Sequence, residues 1–388
     1  MKGARNLAIV AFLLLVACPL LGQPGQGQGA EHAAVLIPAS SLEHAEDVGV
    51  RAHTNHLIKF DPQFGGTSPA GETPQSIWPV YGLTLPPSGG SGTIAIVDAY
   101  HYATAANDLN VFSQTFGLLP VNFTVVYATG KKPRSNCGWA QEAALDIEWA
   151  HAMAPGASIV LVEAASSSFA DLFHAVDVAK ALPGVTQVSM SWGGSEFSGE
   201  ASNDSAHLLQ SGVVFFASSG DTGGVTIYPG TSPNVVSAGG TTIHRSGGVF
   251  TGETGWSGSG GGPSKYEPRP TYQNNISTIV GNARGVPDFS FDADPNSGVS
   301  VYDSTSCQGA SGWLVFGGTS VSSPSLAGIV NLAGGAASSV DELAMIYANL
   351  GNSADFRDIT SGTAGSFSAA AGWDFVTGVG SNQGLSGK

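Results

Sequence analysis

Thr93-Ile94-Ala95-Ile96-Val97-Asp98 is a continuous, largely apolar and β-branched run, and a helical pattern follows it from Ala103 to Phe116. A run that is apolar at nearly every position, rather than every second one, reads as a strand buried on both faces, as in a parallel sheet. Phe123 to Tyr127, Ser158 to Val162, Gln187 to Ser191 and Val213 to Ala217 have the same character. Between them lie helical patterns at Ala140 to Ala152, Phe169 to Lys180 and Glu200 to Gln210. Regular alternation of strand and helix predicts an α/β fold, a parallel sheet with helices on both faces. Glycine-rich loops are expected from Gly239 to Gly318, then a helix from about Ser323 to Leu332. No repeat period is visible, and residues 92–388 are read as a single domain.

Ahead of this domain, Lys2 and Arg5 precede an apolar run from Leu7 to Leu21, followed by a polar stretch from Gln23 to Gly29. This is the layout of an export signal over residues 1–22, and the run is short for a stable membrane span. A secreted, extracellular protein is expected; Leu15-Val16-Ala17-Cys18 also resembles a lipobox, which leaves a lipid anchor through Cys18 as the minor alternative. Residues 23–91 read as a short N-terminal extension rather than a folded module. With Lys+Arg 14 against Asp+Glu 29 the net charge is -15, so nucleic acid and anionic membranes are poor partners. Only 11% of residues are charged and 42% are hydrophobic, enough for a large core and usual in extracellular hydrolases. Outside the signal the cysteines are Cys137 and Cys307. They read equally well as one disulfide or as two buried thiols.

The chemistry sits in the loops that follow strands. Phe316-Gly317-Gly318-Thr319-Ser320-Val321-Ser322-Ser323-Pro324 leads into Ser325-Leu326-Ala327-Gly328. Glycines allow close approach, and a serine at a helix start meets the positive end of the helix dipole. Taken alone, Gly-Thr-Ser is also an ordinary helix cap. A serine nucleophile needs a base, and no histidine here stands in a His-Gly-Thr-His type segment. In its place stands Gln141-Glu142-Ala143-Ala144-Leu145-Asp146-Ile147-Glu148-Trp149-Ala150. Glu142 and Asp146 are four apart and share a helix face. Such carboxylates are more often a solvated helix edge, but this helix is strongly apolar and places no Lys or Arg between them.

Glu142-x-x-Leu145-Asp146-Ile147-Glu148 with Met153-Ala154-Pro155-Gly156-Ala157 resembles the base segment of the sedolisin (serine-carboxyl peptidase) family, enzymes of subtilisin-like fold. Ser218-Ser219-Gly220-Asp221-Thr222-Gly223-Gly224 resembles its oxyanion segment, and Val188-Ser189-Met190-Ser191-Trp192-Gly193-Gly194 its substrate edge. The Ser320 segment resembles the nucleophile segment that subtilisins and sedolisins share. The resemblance implies a secreted endopeptidase acting in acid on proteins or peptides, as a monomer. Ser320 would be the nucleophile, Glu142 the general base, Asp146 its orienter and Asp221 the oxyanion donor. Asp98 would support the base pair, and Ser191, Trp192 and Gly193 would bind substrate backbone, with the Trp192 ring shaping a subsite. Near the C-terminus, Asp358, Ile359, Ala370, Gly372 and Asp374 resemble the family's calcium loop, which implies one Ca²⁺. Relatives often have glycine where Ala370 stands, and they are made with a large folded propeptide, whereas only residues 23–91 are available here. An inactive relative that binds peptides, or a structural protein, is the alternative function.

The imidazole of an ordinary histidine is protonated below about pH 5 and cannot accept a serine proton there. A carboxylate near its own pKa still can. Asp221, as a hydrogen-bond donor, must instead hold its proton, which requires surroundings that raise its pKa.

Overall fold

The computed structural model describes residues 35–59, 66–83 and 89–388; the expected export signal and Cys18 lie outside them. The extension contributes β1 (Val35–Leu36), β2 (His53–Thr54), β3 (Leu57–Lys59) and α1 (Pro74–Ile77). Then come β4 (Thr93–Ala99), α2 (Ala105–Thr115), β5 (Phe123–Tyr127), α3 (Cys137–Met153), β6 (Ser158–Ala164), α4 (Phe169–Ala181) and β7 (Val185–Met190). They are followed by β8 (Trp192–Ser195), α5 (Ala201–His207), β9 (Val214–Ser218), β10 (Ile227–Tyr228), β11 (Val236–Ser246), β12 (Val249–Gly255) and β13 (Gly262–Pro268). Next are α6 (Ser277–Val280), β14 (Ala283–Val286), β15 (Phe289–Asp292), β16 (Val299–Cys307), β17 (Ala310–Gly317), α7 (Thr319–Ala333) and α8 (Ser339–Ala348). Four short strands end the chain: β18 (Phe356–Arg357), β19 (Thr363–Ala364), β20 (Phe367–Ser368) and β21 (Ser381–Asn382).

The main sheet has the order β18-β21-β15-β11-β9-β7-β4-β6-β5, with β12 added beside β11. From β5 to β21 every neighbouring pair is parallel. Alternation along β4 explains why the sheet is covered on both faces. Ile94 and Ile96 join a core that includes Leu145 and Trp149 of α3 and Leu326 of α7, while Ala95 and Val97 join a second core with Phe169 and Phe173 of α4. The predicted α/β architecture is thus present.

Two helices carry the site. α3 begins at Asn136, whose side-chain oxygen accepts the N–H groups of Gly138 and Trp139 at 3.0 and 3.2 Å and so caps two free donors. Residues 138–153 are all buried, so α3 has no solvent side and its carboxyls are desolvated with it. α7 crosses α3 at Gly328, where an added Cβ would lie 2.6 Å from Met153 Cβ, so only glycine permits this approach. Burial of both helices against the sheet fixes the Glu142 and Ser320 ends in one region.

Two expectations change. Residues 239–318 form β11 to β17 rather than loops alone, because small Ser, Gly and Thr residues in these strands dilute the apolar signal. α7 starts at Thr319, not near Ser323, so Ser320 lies in its first turn. The extension builds onto the rest of the fold: β1 and β3 enlarge the sheet of β16 and β17, and β2 adds to β8. The described residues form one unit. Cys137 and Cys307 are joined in a disulfide with Cα atoms 5.3 Å apart, which ties the start of α3 to the end of β16. Among the described residues no helix is long and apolar enough to cross a membrane.

Candidate active site

Glu142 and Asp146 lie one turn apart on α3, both fully buried. Asp146 Oδ1 accepts the Ser191 hydroxyl at 2.9 Å, and its Oδ2 has no partner. Asp98 is buried near the end of β4 with neither carboxyl oxygen partnered. Burial, and then the charges of Asp98 and Glu142, hold the Asp146 carboxyl well above the usual range. Burial, and then Glu142 and Glu163, do the same to Asp98. Asp98 and Asp146 are thus both raised in one dry space, and the charge of Asp98 bears directly on Asp146.

The nucleophile candidate sits where β17 passes into α7. Gly318, between them, has φ of +96°, a conformation that favours glycine. A Cβ there would also collide with Asp221 Oδ2 and with the Asn55 carbonyl oxygen, so these two atoms face the same small space. Ser320 N–H donates to that Asn55 oxygen at 3.0 Å, and Ser320 Oγ donates to the Ser191 carbonyl at 3.2 Å. Asp221 Oδ1 accepts the N–H and hydroxyl of Thr319 at 2.7 and 2.8 Å, while Oδ2 has no partner. Burial pushes the Asp221 carboxyl up to about 8, with the Thr319 bonds opposing and the Glu142 charge adding. In acid it is therefore a neutral carboxyl, and with Oδ1 committed as acceptor its proton belongs on Oδ2, facing the Asn55 oxygen.

The extension fills the cleft between these groups. β2 pairs antiparallel with β8, His53 opposite Gly193 and Thr54 opposite Trp192. Asn55 N–H continues the ladder to the Ser191 carbonyl at 3.3 Å, and Asn55 Nδ2 donates to Ser218 Oγ at 2.7 Å. His56 Nδ1 lies 2.7 Å from Glu142 Oε2, with the ring stacked on Phe316 at 5.4 Å. No hydrogen bond joins Ser320 to Glu142: Oε2 is taken by His56, and Oε1 has no partner.

The structure brings Ser320, Asp221, Glu142, Asp146, Asp98 and Ser191 into one connected region. Gly193 and Trp192 present backbone to β2, but the Trp192 ring is buried, its Nε1 donating to Val97 O at 2.8 Å. It packs against Phe173 of α4 and is turned into the core, not toward a subsite. Asn55, His56 and Thr319 escaped the sequence reading. The first two lie in a polar stretch read as part of the N-terminal extension, and only the apolar pair Leu57-Ile58 just after it hinted at a strand.

At the C-terminal loop, Asp358 accepts the Gly372 N–H on both oxygens at 3.2 and 3.1 Å. Asp374 accepts Ala370 N–H at 3.0 Å and the Val376 and Thr377 N–H groups at 2.8 and 2.9 Å. Both carboxyls therefore face residues 370–372 of the predicted ligand set. Among the described residues no cluster of three or more His, Cys, Asp or Glu suits a metal, so any ion here would depend on backbone carbonyls, which calcium accepts.

Residues 127–380 match the family described as the subtilase family. Over 360 residues the chain is 27% identical to sedolisin of Pseudomonas sp. (strain 101), 80% of this chain and 60% of that protein. Over 384 residues it is 29% identical to kumamolisin of Bacillus sp. (strain MN-32), 84% of this chain and 65% of that protein. The chain thus spans 60% and 65% of the length of these two curated relatives. The solved Pseudomonas sedolisin, a serine-carboxyl proteinase complexed with two molecules of pseudo-iodotyrostatin, matches with a TM-score of 0.66 at 25% identity, covering 81% of this chain and 96% of that one. Sphericase matches with a TM-score of 0.53 at 19% identity over 82% of this chain and 99% of that one, a likeness of fold.

Proposed function

This chain belongs to the subtilase family, and from that membership and its sedolisin relatives we propose that it is a secreted serine-carboxyl endopeptidase working in acid. Ser320 attacks the peptide carbonyl, Glu142 takes its proton and returns it to the leaving amine, and Asp146 orients Glu142 while sharing protons with Asp98. Ser320 N–H and the Asp221 carboxyl stabilise the oxyanion. The observation that carries the proposal is the peptide carbonyl of Asn55, which sits on Ser320 N–H and faces Asp221 Oδ2 across Gly318. A chain lying in the cleft already presents its carbonyl where an oxyanion would form.

The charges the reaction needs set an upper limit on the pH at which it can run. Asp221 donates only while protonated, and it loses that proton as pH rises through about 8. Hydrolysis of a denatured protein, followed from pH 2 to 9, tests the proposal, and an optimum on the acid side is expected. The His56 contact with Glu142 favours one rival, a histidine relay, although His56 Nε2 has no partner and Ser320 Oγ bonds elsewhere. An optimum at or above neutrality, with activity lost in His56→Ala, would pass the base role to His56.

For the C-terminal loop, the Asp358 and Asp374 carboxylates, each bonded to a backbone N–H of the 370–372 turn, would supply two oxygen donors of a Ca²⁺ site. When bound, the ion would supply a cross-link among Asp358, Ile359, Ala370, Gly372 and Asp374 and take no part in the chemistry. A ligand present at a hundred times its Kd stabilises by about 2.7 kcal/mol. Chelation is therefore expected to lower Tm by several degrees, reversed by calcium and absent in Asp358→Asn. An unchanged Tm, with no calcium found by elemental analysis, rejects the site.

A further inference from the structure

We infer that Ile227 closes the subsite ahead of the scissile bond, so that this peptidase cuts substrates after residues no larger than asparagine, favours asparagine itself, and rejects aromatic and long side chains. The inference deepens the serine peptidase reading above and rests on it. Asn55 serves as a mould of the subsite. Its N–H lies on the Ser191 carbonyl at 3.3 Å and its own carbonyl on Ser320 N–H at 3.0 Å, so its side chain marks where a substrate side chain goes. That side chain is fully buried, with Nδ2 donating to Ser218 Oγ at 2.7 Å. Oδ1 has no partner among the described residues, so the slot offers the amide one hydrogen bond and otherwise selects by size.

Two glycines and one isoleucine set that size. Gly193 stands two residues beyond Ser191 on one wall of the slot, and Gly220 two beyond Ser218 on the other. A Cβ on Gly193 would lie 2.5 Å from Ile227 Cδ1, and one on Gly220 would lie 3.3 Å from the same atom. The Ile227 side chain therefore spans the gap between the walls, where a slot lined by bare glycines would otherwise continue. It is buried yet joins neither of the two apolar cores that flank the sheet, so interior packing does not account for it.

This floor is held in place. β10 pairs antiparallel with β8, Ile227 opposite Ser195 and Tyr228 opposite Gly194. On one side of Ile227, Thr226 Oγ1 donates to Glu196 Oε2 at 2.5 Å; on the other, Tyr228 Oη donates to Asp204 Oδ1 at 3.0 Å. A β-branched residue anchored through both neighbours has little freedom to swing aside, so a phenylalanine side chain would have to overlap it. Leucine has nearly the shape of asparagine and fits the space, but it leaves the buried Ser218 hydroxyl unpaired. Size and hydrogen bonding are thus read by different residues, Ile227 and Ser218, and can be separated.

The test uses the full-length chain at about pH 4 with added peptides that differ only in the residue before the cut, Asn, Leu or Phe. Each is read as kcat/KM, with the cut bond located by mass spectrometry. Ratios taken within one preparation do not depend on how much of it is folded. Wild type is expected to favour Asn over Leu by about 2–10-fold, the worth of one neutral hydrogen bond, and Leu over Phe by about tenfold or more. Ile227→Ala removes the atoms that span the gap, and is expected to bring Phe level with Leu while leaving the Asn-to-Leu ratio unchanged. Ser218→Ala is expected to do the reverse, erasing the preference for Asn and leaving Phe poor. A wild type that cuts after Phe as readily as after Asn, or an Ile227→Ala variant with the wild-type ratio of Phe to Leu, overturns the inference and leaves the peptidase reading standing. A chain that hydrolyses neither these peptides nor a denatured protein overturns both.

Discussion

Ser320→Ala is expected to lower kcat/KM for a denatured protein at about pH 4 by roughly a million-fold, the scale seen when a serine nucleophile is removed. Glu142→Gln is expected to cost about 10²–10⁴-fold, the usual worth of a general base. Gln fills the same buried space and can still meet His56 Nδ1, so the change removes proton acceptance while leaving the packing of α3. Because the two groups act in one proton transfer, the double variant should be scarcely worse than Ser320→Ala alone. Purified variants with wild-type Tm, assayed across pH, make the comparison. Should Glu142→Gln retain most of its activity, the assignment of the base to a carboxyl fails. The fully buried positions of Glu142, Asp146 and Asp98 motivate the test, since carboxyls enclosed together without function would only weaken the fold.

The second large effect is on stability. Tm is expected to be highest near pH 4 and to fall steadily toward pH 8. Burial raises the carboxyls of Asp98, Asp146, Glu148 and Asp292 well above the usual range, Asp221 to about 8, and Asp303 and Glu342 to about 7. In the unfolded chain such groups titrate near pH 4. Between about pH 4 and 8 the folded protein therefore binds more protons than the unfolded one, and its stability falls as pH rises through that window. Above about pH 8 the groups with values near 7 and 8 have ionised in both states, and their contribution no longer changes. Each pKa unit is worth about 1.4 kcal/mol, so several raised groups together amount to several kcal/mol. For a chain of this size that is a change in Tm of roughly 5–10 °C. Scanning calorimetry from pH 4 to 8 checks it, and a Tm that is flat or rises over this range contradicts the burial of these acids as described. The sign is opposite to that of a protein held together by surface ion pairs, which loses stability in acid.

The two expectations share one origin. α3 has no solvent face, so Asp146 and Glu148 are desolvated, and desolvation both holds their protons in acid and makes alkali destabilising. A cleft that needs Asp221 protonated therefore sits in a fold that is itself most stable when its carboxyls are protonated.

Much of this was legible in the sequence because it depends on local pattern. The runs Thr93 to Asp98 and Ser158 to Val162 are apolar at successive positions, and that alone marks strands covered on both sides. The four-residue spacing of Glu142 and Asp146 put them on one helix face, and the glycines before Ser320 marked a tight turn into a helix. What stayed hidden depends on partners far apart in the chain. The Cys137–Cys307 bond spans a separation of 170 residues, and spacing alone left two readings equal. The Trp192 ring belongs to the core because Val97 and Phe173 stand behind β8, which no local motif reports.

Sequence by itself determined the α/β class, the order of the acid and serine motifs, and the absence of a His-Gly-Thr-His type segment on the helix that carries Glu142. Periodicity and residue type suffice for these, since each is a property of neighbours along the chain. Only the tertiary structure decided that His53 to His56 lie in the cleft, that the Asn55 carbonyl meets Ser320, and that burial raises the Asp221 carboxyl. Those facts come from burial and from pairing across more than a hundred residues. They arise only when β2, β8, α3 and α7 are packed together and water is excluded from between them.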